Sequence, residues 1–174
     1  TISFSAFLLN RSSDLLVSSI RTLGREIFKD VPGKLYVKCS IPDSRWYGDH
    51  PFFNSKFSDV VIEEGVDSIG SHAFHGCSSI EKLTLPSTLR KISNEAFYDC
   101  SGFTELTLPS TIESIGNSAF RGCGGVVYVN CDLPDTNDGI FRDSKITRLI
   151  VGNGVTSLGQ RSFCNSSMLS SVTL

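Results

Sequence analysis

The sequence lacks an excess of charge of either sign, and it lacks a long hydrophobic run. Its 174 residues carry 16 basic and 18 acidic side chains, which leaves a net charge of -2 and a pI near 5.9. Nucleic acids and anionic membranes attract proteins with a basic patch, so these partners are disfavoured. No apolar run approaches the roughly 18 to 20 residues that cross a bilayer, and the stretch from Ile2 to Leu9 has no basic leader. We expect no transmembrane segment in this chain.

The sequence also lacks the residue groups on which catalysis or metal binding depends. It has no nucleophile with a neighbouring base, no glycine-rich phosphate loop and no carboxylate pair at a spacing suited to acid–base chemistry. His72, His75 and Cys77 lie close in sequence, but their spacing is not that of a zinc finger, and no second set of ligands follows. We therefore expect no enzyme, no metal site and no cofactor.

What the sequence does contain is a repeat. Leu83-Thr84-Leu85-Pro86 recurs as Leu106-Thr107-Leu108-Pro109, 23 residues later. A fixed period of about 20 to 50 residues is typical of a solenoid, in which each unit buries its apolar face against its neighbours. Aligning the units by a phenylalanine at spacings of 21 to 25 residues defines seven of them, at Phe28, Phe53, Phe74, Phe97, Phe120, Phe141 and Phe163.

The residues of one unit predict its local structure. The alternation at Leu83 and Leu85 predicts a short strand with both side chains inward, which Pro86 ends because proline has no N–H for the ladder. Residues 90–92 read as a second extended stretch and residues 94–97 as a helical turn. One strand per unit predicts a parallel sheet, and the repeated phenylalanines predict a stacked spine in the core.

Two units depart from this frame in the same way. The segment from Tyr36 to Asp43 matches the segment from Tyr128 to Asp135, 92 residues or four periods later. Aligned with the regular units by the 23-residue period, they place Cys39 and Cys131 opposite Leu85 and Leu108, at inward strand positions.

These motifs resemble the BspA-like leucine-rich repeats, a 23-residue class also named after a Treponema surface protein. The matching elements are Leu-Thr-Leu-Pro, Ile-x-x-x-Ala-Phe and Gly-Cys-Ser-Ser-Ile, and they cover residues 56–131 and 140–174 well and 20–55 loosely. The resemblance implies an α/β, β-rich leucine-rich repeat solenoid. It would be a curved right-handed array, with a parallel sheet on its concave face and short strands and helical turns on its convex side. The resemblance also implies an extracellular or cell-surface location, with adhesion to host proteins as the usual role.

The frame divides the chain into residues 1–19, a candidate N-terminal cap, and residues 20–174, a repeat domain of about seven units. The chain has no initial Met and stops inside a repeat at Thr173-Leu174. We expect this domain to be truncated at its C-terminus, or to associate end to end with another copy there.

The cysteines follow the repeat frame more closely than a disulfide framework. Cys77, Cys100 and Cys123 occupy one equivalent position, which predicts a ladder of buried, reduced thiols. Cys164 falls at a variable, mostly polar position and is expected to be exposed.

Two rows of side chains are expected to point outward from the sheet. The first contains Tyr36, Asp59, Lys82, Glu105, Tyr128, Arg148 and Ser171, and the second contains Lys38, Val61, Thr84, Thr107, Asn130, Ile150 and Thr173. Mixed charge with two tyrosines suits recognition of a protein or a glycan, whereas strand propensity alone could account for the threonines. The candidate ligand-binding residues are Tyr36, Lys38, Asp59, Lys82, Glu105, Tyr128, Asn130 and Arg148.

A second candidate surface is the loop from Pro42 to Phe53, which departs from the repeat. It carries Arg45, Trp46 and Tyr47, residue types enriched at interface hot spots. The same loop could instead fold over the solenoid and seal a gap in its core.

The sequence therefore predicts a non-catalytic protein-interaction module at the cell surface or secreted. Its expected partner is a host extracellular-matrix or cell-surface protein, or a glycan. The alternative is a structural spacer array within a larger protein.

Overall fold

The computed structural model describes residues 14–17, 27–43 and 52–174, and in these ranges the chain forms strands and turns but no helix. The strands are β1 (Asp14–Val17), β2 (Pro32–Val37), β3 (Lys56–Ile62), β4 (Ser68–Ile69), β5 (Lys82–Thr84), β6 (Lys91–Ile92), β7 (Glu105–Leu108), β8 (Ser114–Ile115), β9 (Gly124–Val129), β10 (Lys145–Val151) and β11 (Ser171–Thr173). None of the described segments includes a helix that could cross a membrane.

The strands form two parallel sheets. The long sheet has eight strands in the order β1-β2-β3-β5-β7-β9-β10-β11, and the short sheet has the order β4-β6-β8. Each turn of the chain adds one strand to the long sheet, and the central turns add one to the short sheet as well, so that Lys82 pairs with Glu105 and Lys91 with Ser114. The predicted parallel-sheet solenoid is confirmed, and residues 90–92 are extended as expected.

The third side of each repeat is a ladder of turns, where the sequence predicts a helical turn over residues 94–97. Glu95 has a φ of 54°, a left-handed conformation that interrupts a right-handed helix. Its backbone N–H donates to the carbonyl of Asn117 in the next repeat (2.9 Å), and that of Phe97 donates to Ala119 (2.8 Å). The predicted helical turns are therefore wrong, because hydrogen bonds between repeats replace those within a helix.

The aromatic spine is confirmed, with one change of member. Successive rings stack at centroid distances of 4.9 to 5.3 Å. Phe52 fills the second place, not Phe53: Phe52 is fully buried, whereas Phe53 is half-buried and lies beside the ring of His75 (5.5 Å). The spine consists of Phe28, Phe52, Phe74, Phe97, Phe120, Phe141 and Phe163.

The three equivalent cysteines are free thiols buried beside this spine. Each thiol donates to the carbonyl of the spine phenylalanine one repeat earlier; Cys100 Sγ, for example, lies 3.1 Å from the oxygen of Phe74. Ser166 Oγ makes the same bond to Phe141 (3.2 Å), so a hydroxyl can replace the thiol. Burial raises the pKa of the Cys77 and Cys100 thiols, which keeps them protonated.

The exposure of Cys164 predicts that it is the fastest-reacting of the six thiols, since Cys39 is half-buried and the other four are buried. Its side chain is exposed, as expected from the sequence, while Cys77, Cys100 and Cys123 are fully buried. A thiol reagent added to the folded protein should react first with Cys164, and with the three buried thiols only on denaturation. Mass spectrometry would identify the labelled cysteines over time. The fastest labelling phase should disappear in Cys164→Ser, and labelling of Cys100 in that phase would contradict this packing.

Part of the candidate N-terminal cap can be placed. The strand Asp14–Val17 pairs in parallel with β2, with Leu15 opposite Leu35, so this segment extends the long sheet. Residues 1–13 and 18–19 lie outside the described residues.

Candidate interaction surface

The outer face of the long sheet carries two rows of side chains that run across the strands. We call the first the charged row, and its paired members are Lys34, Asp59, Lys82, Glu105, Val126, Arg148 and Ser171. We call the second the tyrosine row, and its members are Tyr36, Val61, Thr84, Thr107, Tyr128, Ile150 and Thr173. The inward residues between them are core, as at Leu83 and Leu106.

This register corrects the rows expected from the sequence. Tyr36 pairs with Val61, not with Asp59, and Tyr128 pairs with Thr107, not with Glu105. The cause is the short segment that follows strand β2. Ile41 lies only four residues beyond Val37 and already forms a β-bridge with Ile69 of the short sheet. The two irregular units thus have a shorter connection between the two sheets, and an alignment by the 23-residue period misplaces their strands by two residues.

The same correction applies to two cysteines. In the observed register Val37 and Val129 take the second inward position of their strands, opposite Ile62 and Leu108. Cys39 and Cys131 lie beyond the strand ends, so their assignment to inward strand positions is wrong. Burial raises the pKa of Cys131 to about 11.

The charges of the charged row alternate in sign from Lys34 to Glu105. Lys34 Nζ lies 3.1 Å from Asp59 Oδ2 and 5.0 Å from the ring centroid of Tyr36. The hydrogen bond to Asp59, followed by that to Tyr36, raises the pKa of Lys34. Lys82 stands between Asp59 and Glu105 in the register. Alternating signs at the strand spacing of about 4.8 Å favour a partner of mixed charge over a polyanion or a polycation.

The tyrosine row is the less polar of the two. Tyr36, Val61, Tyr128 and Ile150 are half-buried, and hydroxyl-bearing Thr84 and Thr107 lie exposed between them. Four strand steps of about 4.8 Å separate Tyr36 from Tyr128, or roughly 19 Å. Aromatic rings with hydroxyls, bordered by charges, have the composition of a protein-binding surface.

Two of the predicted binding residues lie at the strand ends and are already engaged. Lys38 Nζ pairs with Glu63 Oε2 at 3.3 Å. Asn130 donates from its side-chain amide to the carbonyl of Leu108 (3.2 Å), which extends the strand ladder. These contacts indicate a structural role for Asn130 and a rim position for Lys38.

The family model for the BspA type leucine-rich repeat region, in six copies, matches residues 47–174. The chain belongs to the BspA-type leucine-rich repeat family. No curated protein matches it.

Solved structures show the same fold for this BspA-type chain. A leucine-rich repeat protein from Eubacterium ventriosum superposes with a TM-score of 0.61 and 18% identity over 94% of this chain, which spans 40% of that protein. The Treponema pallidum leucine-rich repeat protein superposes with a TM-score of 0.52 and 17% identity over 95% of this chain and 77% of its own. At these identities the two superpositions show a shared fold.

The histidines considered for a metal site belong to the turn ladder of the BspA-type repeats. His72 Nδ1 and His75 Nε2 lie 3.3 and 3.7 Å from Glu95 Oε2, and the His75 ring stacks on Tyr98 (4.6 Å). Burial lowers the pKa of His75. The Cys77 thiol donates instead to the carbonyl of Phe52 in the core (2.8 Å), so it does not share a site with the two imidazoles.

The alternative surface at Arg45, Trp46 and Tyr47 lies outside the described residues. The members of the outer face that sequence reasoning missed are Lys34 and Val126. Counting strand positions back from the buried pairs Leu35/Val37 and Val127/Val129 would have found both.

Proposed function

We propose that this chain is a non-catalytic module that binds a protein through the outer face of its long sheet, in an extracellular or cell-surface setting. The expected partner is a host extracellular-matrix or cell-surface protein, and the role is adhesion. The observation that carries the proposal is the tyrosine row, a roughly 19 Å row of rings, aliphatic side chains and hydroxyls bordered by alternating charges. Membership of the BspA-type family supports it.

The arrangement favours binding over a purely structural face for a physical reason. Tyr36 and Tyr128 offer large, stiff contact areas with a hydroxyl, at a low cost in side-chain entropy. Lys34, beside Tyr36, is paired with Asp59 within the sheet, so these two charges are held in position before a partner arrives. We place the concave side of the array at this face, as the family resemblance implies.

The proposal predicts a large loss of affinity on removal of both rings. Surface-immobilised fibronectin, laminin, collagen and mucin, and cultured epithelial cells, would be titrated with the native chain and with Tyr36→Ala/Tyr128→Ala. If both rings are hot spots, the Kd for the bound partner should rise by about 100-fold. Circular dichroism would establish that the variant is folded.

Two further variants control this experiment. Tyr36→Phe/Tyr128→Phe keeps the rings and should keep most of the affinity. Glu113→Ala removes a 76% exposed side chain beside the short sheet and should leave the Kd unchanged. Binding retained by the folded alanine variant would move the site away from this face, and no binding to any of these surfaces would favour the spacer function.

A further inference from the structure

The two irregular units carry the same tyrosine on the outer face but a different residue beside it. Tyr36 and Tyr128 lie 92 residues apart, at equivalent positions of strands β2 and β9. Two residues earlier on the same face, the first unit has Lys34 and the second has Val126. The chain therefore contains the same tyrosine in two different surroundings.

The first tyrosine is already engaged by its own chain. Lys34 Nζ lies 5.0 Å from the centroid of the Tyr36 ring and 3.1 Å from Asp59 Oδ2. A cation over a ring face and an ion pair beside it are favourable contacts. A partner that packs on Tyr36 would have to displace them, so it gains less there than on an open ring.

The second tyrosine is open. Valine at position 126 is too short to cover the ring, and among the described residues no cation lies over Tyr128 and no side chain hydrogen-bonds with its hydroxyl. Tyr128 pairs with Ile150 of β10, and both of these residues and Val126 are half-buried. We call Val126, Tyr128 and Ile150 the Tyr128 patch.

Two opposite charges border the Tyr128 patch. Glu105 and Arg148 pair on either side of Val126 in the register, two strand steps of about 4.8 Å apart, or roughly 10 Å. Both side chains are exposed, and neither forms an ion pair within the part of the chain that the structure describes. Lys82, one strand beyond Glu105, does not come within ion-pair distance of it. The charges of Glu105 and Arg148 are therefore available to a partner.

We propose that the Tyr128 patch is the specificity centre of the outer face, and that it takes a protein segment in which an apolar side chain stands between a basic and an acidic one. This inference rests on the proposed function of the same face. The apolar side chain would pack on the Tyr128 ring, and the basic group would face Glu105. The acidic group would pair with Arg148, whose planar fork of N–H donors matches a carboxylate. A polyanion would be repelled by Glu105 and a polycation by Arg148.

The probe is a phage-displayed library of random dodecapeptides, selected on the immobilised native chain. Enriched peptides should carry an aromatic or aliphatic residue between a basic and an acidic residue. Measured by fluorescence anisotropy, their Kd should rise by about 30-fold for Tyr128→Ala and about tenfold for Arg148→Glu. Tyr36→Ala is the matched control and should raise the Kd by no more than about threefold, because that ring is already covered.

Val126→Lys tests the cause of the difference between the two tyrosines. A lysine there would pair with Glu105 as Lys34 pairs with Asp59, and it should raise the Kd of the enriched peptides by about tenfold. Val126→Thr keeps the size and branching of valine and should keep most of the affinity. Circular dichroism would establish that each variant is folded.

Three results would overturn the inference. The first is that no peptide is enriched over a surface without protein. The second is that enriched peptides bind folded Tyr128→Ala or Val126→Lys as tightly as the native chain, and the third is that Tyr36→Ala weakens them more than Tyr128→Ala does.

The peptide selection is independent of the matrix surfaces, so it can fail separately from the proposed function. Peptides that bind at the Tyr128 patch while no matrix protein or cell binds the chain would overturn adhesion alone. A matrix protein that is lost with both tyrosines but is insensitive to Val126→Lys would overturn the specificity centre alone.

Discussion

Replacing Phe97 with alanine should lower the free energy of unfolding by about 3 to 5 kcal/mol. Phe97 is fully buried and stacks on both neighbours of the spine, at 5.2 Å from Phe74 and 5.2 Å from Phe120. Its ring also packs on Phe103 (6.2 Å). Truncation opens a cavity lined by the two flanking repeats. Packing is therefore lost at two repeat–repeat interfaces at once. Urea denaturation followed by circular dichroism measures the change.

The end of the spine supplies a matched control for Phe97. Phe163 stacks only on Phe141 within the described spine (5.2 Å) and is half-buried. Because a solenoid is stabilised chiefly by contacts between neighbouring repeats, a central gap should destabilise several units and a terminal one fewer. We expect Phe163→Ala to cost clearly less than Phe97→Ala. Equal losses from the two variants would contradict a stacked, nearest-neighbour core.

Replacing Gly125 with alanine should cost about 2 to 5 kcal/mol, from backbone strain and from steric overlap together. Gly125 lies in β9, the strand that carries Tyr128, and has a φ of +84°. A Cβ there would meet the carbonyl of Phe103 and would lie 2.6 Å from that of Thr104. Backbone atoms of a packed parallel strand have little room to move. Thermal and urea unfolding would measure the loss.

Alanine variants of two other glycines measure backbone strain and steric overlap separately. Gly154 has a φ of +90° but nothing within 4 Å of a Cβ, so Gly154→Ala should show strain alone, about 1 to 2 kcal/mol. Gly102 has no positive φ, but a Cβ would overlap the carbonyl of Ser78 and lie 2.9 Å from that of Ile80. Gly102→Ala should show overlap alone, about 1 to 3 kcal/mol. If Gly125→Ala were the mildest of the three, β9 would not have the observed close approach.

The repeat period predicts the solenoid because burial is its cause. Leu83 and Leu106 are inward strand residues, and Ala96 and Phe97 are fully buried, since each repeat can hide these side chains only against the next. Helical turns could not be excluded in the same way. The residue two places before each spine phenylalanine from Phe74 to Phe163 is left-handed, yet it is His72, Glu95 or Ser118 as readily as glycine. The bonds that hold it there lie in the neighbouring repeat.

A local signal could have identified Phe52 as the spine member. The residue two places after every spine phenylalanine has a positive φ, and all seven are aspartate, asparagine or glycine: Asp30, Asn54, Gly76, Asp99, Gly122, Asp143 and Asn165. These are the residue types that tolerate the left-handed region. Counting back from Asn54 gives Phe52.

The outer face was less predictable than the core. The candidate residues Tyr36, Asp59, Lys82 and Tyr128 do lie on it. Their arrangement in rows depends on the strand register, which the shorter connection between the sheets changes in the two irregular units. A shift of two residues keeps each side chain on its face and changes its neighbours. The ion pair between Lys91 and Asp43 had no sequence signal, because the two residues are 48 positions apart.

Site-specific photocrosslinking would detect contact between a partner and the outer face of the long sheet. A benzophenone amino acid would replace Thr107, which is exposed in the tyrosine row next to Tyr128, or Glu113, which is exposed beside the short sheet. With the matrix protein that binds best in the titration, crosslinks should form from position 107 and not from 113. Excess native chain should compete them away, and the Tyr36→Ala/Tyr128→Ala variant should not. Crosslinks from position 113 with none from 107, while binding persists, would contradict binding at the outer face of the long sheet.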